Sequence, residues 1–98
     1  MNTPFADYLR QDQRLVMLRI LSEMPAYRSN SSVIHTVLHQ FGHSPSRDSV
    51  KAECAWLAEQ GLVKVEDMGA VLVVTLTERG SDVAAGLAVV PGVSKPRA

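Results

Sequence analysis

The sequence lacks the features that mark several protein classes. A single cysteine, Cys54, excludes a disulfide within the chain, so a reducing compartment is expected. No apolar run approaches the ~18–20 residues needed to cross a bilayer. The first ten residues lack the basic and apolar regions of a signal peptide. We therefore expect a cytoplasmic protein that does not bind a membrane.

Motifs for catalysis or for a cofactor are also missing. The sequence has no glycine-rich phosphate loop and no nucleophile elbow, and no pair of carboxylates marks a cleft. His35, His39 and His43 recur every four residues, and imidazole binds zinc or nickel. Gly42 is expected to end the helix before His43, however, and no cysteine pair completes a site. We predict no catalytic residues, no cofactor and no metal site.

The charge balance narrows the expected partners. Ten basic and ten acidic residues give a formal net charge of zero, which argues against a non-specific nucleic-acid binder. A sequence-specific binder remains possible because the distribution of charge matters more than the sum. Residues 27–51 are locally basic, since they contain Arg28, Arg47 and Lys51 against Asp48 alone.

Apolar residues at helical spacing occupy residues 4–24, and Pro25 ends that pattern. Pro4 and Asp12 can each begin a helix there, so one helix and two helices both fit. Residues 26–29 suit a short edge strand. Asn30 or Ser31 can cap a following helix, which Gly42 ends.

The next segment predicts a helix over residues 45–60, with Ser44 as its cap and Pro45 in its first turn. Val50, Cys54 and Leu57 form its buried stripe. Residues 62–66 and 71–76 favour strands joined by Asp67-Met68-Gly69-Ala70, which is a hairpin. Thr77 caps a last helix over residues 78–87, and residues 88–98 form a tail that can dock through Val89, Val90 and Val93.

This element order predicts a mainly α chain with a small β-hairpin, in the α+β class. We divide it into an N-terminal arm or short helix (1–11), a main domain (12–87) and a C-terminal tail (88–98). Within residues 27–86 three features stand out, namely Leu57, Gly61-Leu62-Val63 and Leu76-Thr77-x-x-Gly80. In these residues the segment resembles small winged helix-turn-helix regulators of the ArsR and MarR kind. The whole chain is also similar to small regulator-like proteins of Mu-type prophages.

The resemblance implies a transcriptional regulator that binds double-stranded DNA, with residues 45–60 as its recognition helix. Arg47 and Lys51 face away from the buried stripe, and an arginine can grip guanine O6 and N7 with two hydrogen bonds. Serines near the helix start can donate to phosphate, and small side chains allow close approach. The predicted DNA-contacting residues are Arg28, Ser44, Ser46, Arg47, Ser49, Lys51, Ala52 and Ala55.

The tip of the hairpin favours an alternative function. It reads Glu66-Asp67-Met68-Gly69, which is acidic where phosphate would lie. A winged-helix protein-interaction module, such as an assembly or adaptor factor of a phage, therefore stays open beside the DNA-binding regulator. In either case we expect a homodimer held by the chain ends, through Phe5, Tyr8 and Leu9 with Val89, Val90 and Val93.

Overall fold

A computed structural model describes residues 4–96 and has the winged helix-turn-helix fold, which confirms the predicted α+β class. The helices are α1 (Pro4–Glu23), α2 (Ser31–Gln40), α3 (Arg47–Glu59) and α4 (Glu78–Ala84), and the strands are β1 (Arg28–Asn30), β2 (Val63–Asp67) and β3 (Leu72–Leu76). None of the helices in residues 4–96 combines the length and apolar character that crossing a membrane requires.

The N-terminal region is one continuous helix, which decides between the two alternatives. α1 runs through Asp12 without a break, so Asp12 lies inside the helix and is not a cap. After Pro25 the chain turns sharply through Ala26 and Tyr27, whose φ angles are +58° and +56°. These left-handed conformations are uncommon for residues other than glycine. The turn leads the chain directly into β1.

One apolar core joins the helices to the sheet. Val50, Cys54 and Leu57 on α3 are completely buried in one cluster with Leu18, Leu21, Ile34 and Leu38. The predicted stripe of α3 and its partners are therefore confirmed. Because all of these side chains lie on helices α1–α3, the core fixes α3 against the two helices before it.

The helix caps correct two predicted boundaries. The Ser49 N–H donates to Ser46 Oγ at 3.0 Å, so α3 starts at Arg47 with Ser46 as its cap. The prediction of Ser44 as the cap, with Pro45 in the first turn, was wrong, because both residues precede the helix. α4 ends at Ala84 rather than at residue 87, because Gly86 takes a φ of +81° and reverses the chain.

The sheet contains the predicted hairpin and the predicted short edge strand, which is β1 at Arg28–Asn30 rather than residues 26–29. Its order is β1-β3-β2, all antiparallel, because β1 pairs with the far edge of β3. We call residues 63–76 the wing. The Met68 N–H donates to the Val71 carbonyl at 3.0 Å and closes the wing turn. The Gly69 N–H donates to Asp67 Oδ1 at 2.9 Å, so Asp67 has a structural role in this turn.

The two short motifs behind the family resemblance contact each other. Thr77 Oγ1 donates to the Gly61 carbonyl at 2.7 Å and accepts from the Gly80 N–H at 3.0 Å. A Cβ atom at Gly80 would overlap the Leu62 carbonyl oxygen. A glycine is therefore required there for α4 to pack against the base of the wing.

The C-terminal segment belongs to the fold of its own chain. Val90 and Val93 are buried, at 4% and 6% exposure, and the Ser94 N–H donates to the Gln11 carbonyl of α1 at 3.2 Å. We call residues 88–96 the C-terminal strap. The predicted role of Val90 and Val93 in a dimer was wrong, because these side chains complete the core of a single chain, whereas Val89 is exposed.

Candidate nucleic-acid interface

Arg47 and Lys51 lie one turn apart on α3 and line a narrow groove. Ser31 and Ser32 at the start of α2 form a second wall, and Ala70 and Val71 of the wing turn form the third. We call this the recognition groove. Three elements that are distant in sequence therefore meet around two cations.

The recognition groove favours anions. Arg47 is exposed and Lys51 is partly exposed, and neither makes a salt bridge or side-chain hydrogen bond to any residue in 4–96. The first turn of α2 adds backbone N–H groups at the positive end of a helix. Asp48 lies in the first turn of α3 and offsets part of this charge. The net effect is a small cationic surface on a neutral protein.

Ser31 positions the wing, a role that the sequence did not indicate. Its side chain is buried, and its Oγ accepts a hydrogen bond from the Leu72 N–H of β3 at 3.0 Å. This bond ties the start of α2 to the wing, 41 residues later. The Asn-Ser-Ser run signalled a helix start, but nothing in it identified a partner so distant in the chain.

The other predicted contacts on α3 and just before it divide between two surfaces. Ala55 follows Arg47 and Lys51 at four-residue spacing, and both Ala52 and Ala55 are exposed. Ser46 is exposed at the cap of α3. Ser44 and Ser49 instead line a separate groove with Leu9 and Gln13 of α1. They do not join the recognition groove.

Arg28 lies apart from the other predicted contacts. It sits on β1, where its Nη2 is 3.7 Å from Glu66 Oε1 on β2, and both side chains are more than half exposed. A pair this exposed contributes little stability. It nevertheless places a cation beside one of the two acids of the wing. Met68, at the tip, is 63% exposed.

The opposite side of α3 is fixed by an arginine that the sequence analysis missed. Arg14 of α1 donates to both carboxylate oxygens of Glu53, at 2.9 and 3.1 Å, and to the Gly92 carbonyl of the strap at 3.0 Å. Its guanidinium carbon lies 3.7 Å from the centroid of the Trp56 ring. We call these four residues the Arg14 clasp. Its partners are 39 to 78 residues away, so no local pattern signals it.

The histidines do not converge on one point. The rings of His35 and His39 meet edge to face, with centroids 4.8 Å apart. His43 Nε2 lies 2.8 Å from Asp12 Oδ2. Within residues 4–96, no three histidine, cysteine or acidic side chains group as metal ligands do. That the protein needs no metal remains a prediction.

Cys54 lies on the core side of α3, where its thiol is unreactive at neutral pH. Burial, and secondly the negative charge of Glu53, raise the pKa of its thiol to about 12. The thiolate is the reactive form of cysteine. At neutral pH Cys54 therefore behaves as a small apolar side chain.

The comparisons with known proteins place the chain in one family with a phage protein. No protein-family model matches it. It is 48% identical over 91 residues to the uncharacterized protein gp26 of Escherichia phage Mu, and the match covers 93% of this chain and 94% of gp26. The chain belongs to the gp26 family. An uncharacterized protein of Haemophilus influenzae is 43% identical over 76 residues, covering 76% of this chain and 74% of that one.

Solved structures support the fold of this gp26 relative. The hsRosR-S1 and hsRosR-S4 complex structures both superpose with a TM-score of 0.61 at 20% identity, over 86% of this chain. The chain spans 67% and 65% of their lengths, about two thirds. This likeness establishes the winged-helix fold.

Proposed function

We propose that this protein is a transcriptional regulator that binds double-stranded DNA sequence-specifically, as a homodimer. The observation that carries the proposal is the recognition groove. Arg47 and Lys51 have no internal partner among residues 4–96 and lie where α3, the start of α2 and the wing meet. Phosphates and base edges are ligands that such a surface attracts.

The recognition helix would enter the major groove by its N-terminal half. In this proposal Arg47 reads a guanine, and Lys51, one turn later, meets a phosphate. Ala52 and Ala55 leave room for the bases. Ser46 can donate its hydroxyl hydrogen to phosphate while its oxygen caps α3. Contacts from Ser44, Ser49 and Arg28 require that the DNA extend beyond the recognition groove.

Pairing supplies the affinity that one chain lacks. With a net charge of zero, a single recognition groove offers few phosphate contacts. Two copies related by a two-fold axis would present two α3 helices to half-sites about 34 Å apart and combine their binding energies.

Fluorescence anisotropy with labelled genomic fragments at low salt tests this function. The fragments should include the region upstream of the gene itself. Arg47→Ala should weaken binding by roughly 5- to 150-fold for each half-site bound, because each recognition helix loses one bidentate base contact. Arg79→Ala is the matched control, because Arg79 is exposed and does not line the recognition groove. A folded wild-type protein that binds no fragment at micromolar concentration would overturn the proposal.

One observation favours the second candidate, a protein-interaction module. The wing exposes Glu66, Asp67 and Met68 together, an acidic tip with an apolar centre that suits a basic protein surface. This candidate predicts that Glu66→Lys abolishes capture of a phage protein and leaves DNA binding absent. The DNA-binding regulator predicts instead that Glu66→Lys strengthens DNA binding, because it brings a cation toward phosphate.

A further inference from the structure

An apolar groove of about 610 Å³ lies along the C-terminal half of α1, away from the recognition groove. α2 and α4 form its sides. Phe41 on its rim is 61% exposed. Its apolar lining consists of Val16, Ile20, Met24, Val37, Phe41, Ala84 and Ala85. We call it the α1 groove.

The N-terminal half of α1 carries side chains that match the α1 groove. Phe5 and Leu9 are 69% and 41% exposed. Positions 5, 9, 16 and 20 lie within a narrow sector of a helix with 3.6 residues per turn. One face of α1 therefore has apolar projections at its start and an apolar groove at its end.

We infer that two copies of this chain pair through antiparallel α1 helices. A two-fold axis level with residue 14 would place Leu9 of each copy between Val16 and Ile20 of the other. Phe5 would then lie beside Glu23 and Met24 of the second copy. Such a contact is isologous, so both grooves are filled by the same operation. Exposed apolar surface of this kind usually marks an interface.

Charge complementarity favours the antiparallel direction. In this arrangement Asp12 lies about one turn from Arg19 of the second copy, and both side chains are solvent-accessible. Asp12 already holds His43 through Oδ2, which leaves Oδ1 for the arginine.

The α1 pairing rests on the homodimer of the proposed function, and its test needs no DNA. Multi-angle light scattering at tens of micromolar should give a dimer mass for the wild type. Leu9→Glu and Phe41→Glu should each give a monomer, because each puts a charge into the apolar contact. Leu87→Glu is the control, because Leu87 is 80% exposed and lies outside the α1 groove, and it should stay dimeric. Circular dichroism verifies that every variant is folded.

Cysteine crosslinking tests whether the two α1 helices pair in the antiparallel direction. Cys54 is buried, so any disulfide that forms between two copies comes from the introduced cysteines. In the double variant Phe5→Cys/Glu23→Cys the two positions are about 27 Å apart within one helix, too far for an internal bridge. Across the antiparallel pair they are adjacent, so mild oxidation should give a covalent dimer, whereas neither single variant should crosslink.

Three outcomes would overturn the inference: a monomeric wild type, a Leu9→Glu variant that stays dimeric, or a double variant that fails to crosslink. A wild-type dimer that shows the expected crosslink but binds no DNA would overturn the DNA-binding function alone. The two failures are therefore distinguishable.

Discussion

The two sides of α3 use their charges in opposite ways. On the side toward α1, Arg14 and Glu53 are nearly buried, with 11% and 12% of their side chains exposed, and every contact of the guanidinium is within the protein. On the other side, Arg47 and Lys51 contact no charged partner in residues 4–96. Arg14 therefore anchors α3 to the rest of the fold, whereas Arg47 on the same helix points to solvent.

This difference separates stability from binding. A buried, fully bonded ion pair is costly to break, because removal of one partner strands the other charge. An exposed cation without a partner contributes little to folding, so its presence needs another reason. Substitutions on the two sides of α3 should affect different measurements.

The largest effect is expected for the Arg14 clasp. Arg14→Ala leaves the Glu53 carboxylate buried without its cation and removes the link to the Gly92 carbonyl. We expect the free energy of unfolding to fall by about 3–5 kcal/mol, measured by urea denaturation. At this chain length each kcal/mol lowers the melting midpoint by about 4–8 °C.

The double variant Arg14→Met/Glu53→Met shows how much of the loss comes from the unpaired, buried Glu53 carboxylate. It removes both charges and keeps much of the volume, so it should recover a large part of the lost stability. If the single variant melted like the wild type, α3 would not depend on the clasp.

Arg47 should give the opposite result. Arg47→Ala is expected to change the free energy of unfolding by no more than about 0.5 kcal/mol, as exposed substitutions usually do. The same variant should lose about 1–3 kcal/mol of DNA-binding free energy for each recognition helix bound. Urea denaturation and anisotropy on one preparation check both values. A marked loss of stability would mean that Arg47 has a structural partner, and the two sides of α3 would then not differ in their contribution to folding.

The sequence predicted the elements whose signals are local. The stripe on α3, the Thr77 cap and the hairpin follow from spacing and turn residues within a few positions, and the structure confirms them. The α3 start was misplaced by two residues, because Ser44 and Ser46 are both good caps and only the packed structure selects Ser46. The Arg14 clasp and the Ser31–Leu72 bond depend on residues far apart in the chain, so no window of sequence shows them.

Likewise, spacing showed that Arg47 and Lys51 share a face, but not what lies opposite. Their convergence with Ser32 and the wing turn depends on how α2 and the wing pack around α3. Arg28 shows that counting charges along the sequence does not predict which charges lie together in space. It contributed to the basic stretch of residues 27–51, yet in space it pairs with Glu66.

The core side of α3 should also show a pH effect through Cys54. Its pKa is about 12 in the folded protein and close to 8.5 when unfolded. The stability linked to the protonated thiol is therefore complete below about pH 8.5 and is lost as the pH rises toward 12. Between pH 7 and 10 we expect a decrease of about 1–2 kcal/mol in the free energy of unfolding.

Cys54→Ala isolates this contribution, because the variant keeps every other group that titrates at alkaline pH. Its stability should decline less steeply than that of the wild type between pH 8.5 and 10. Parallel curves for the two proteins would show that the thiol is solvated in the folded state.

Lys51 should give the smallest effect, and its signature is a change in the salt dependence of DNA binding. If its ammonium neutralises one phosphate, Lys51→Ala removes one released counterion for each recognition helix bound. The slope of log K against log salt concentration should then become shallower by about 0.9 per helix. Anisotropy titrations between 50 and 200 mM salt measure this slope, with Lys95→Ala as control, because the Lys95 side chain is exposed on the C-terminal strap. Arg47→Ala should weaken binding mainly to fragments that carry the guanine it reads, whereas Lys51→Ala should weaken binding to all fragments alike. An unchanged slope would place Lys51 away from the phosphate backbone and leave Arg47 as the cation of the recognition groove that meets DNA.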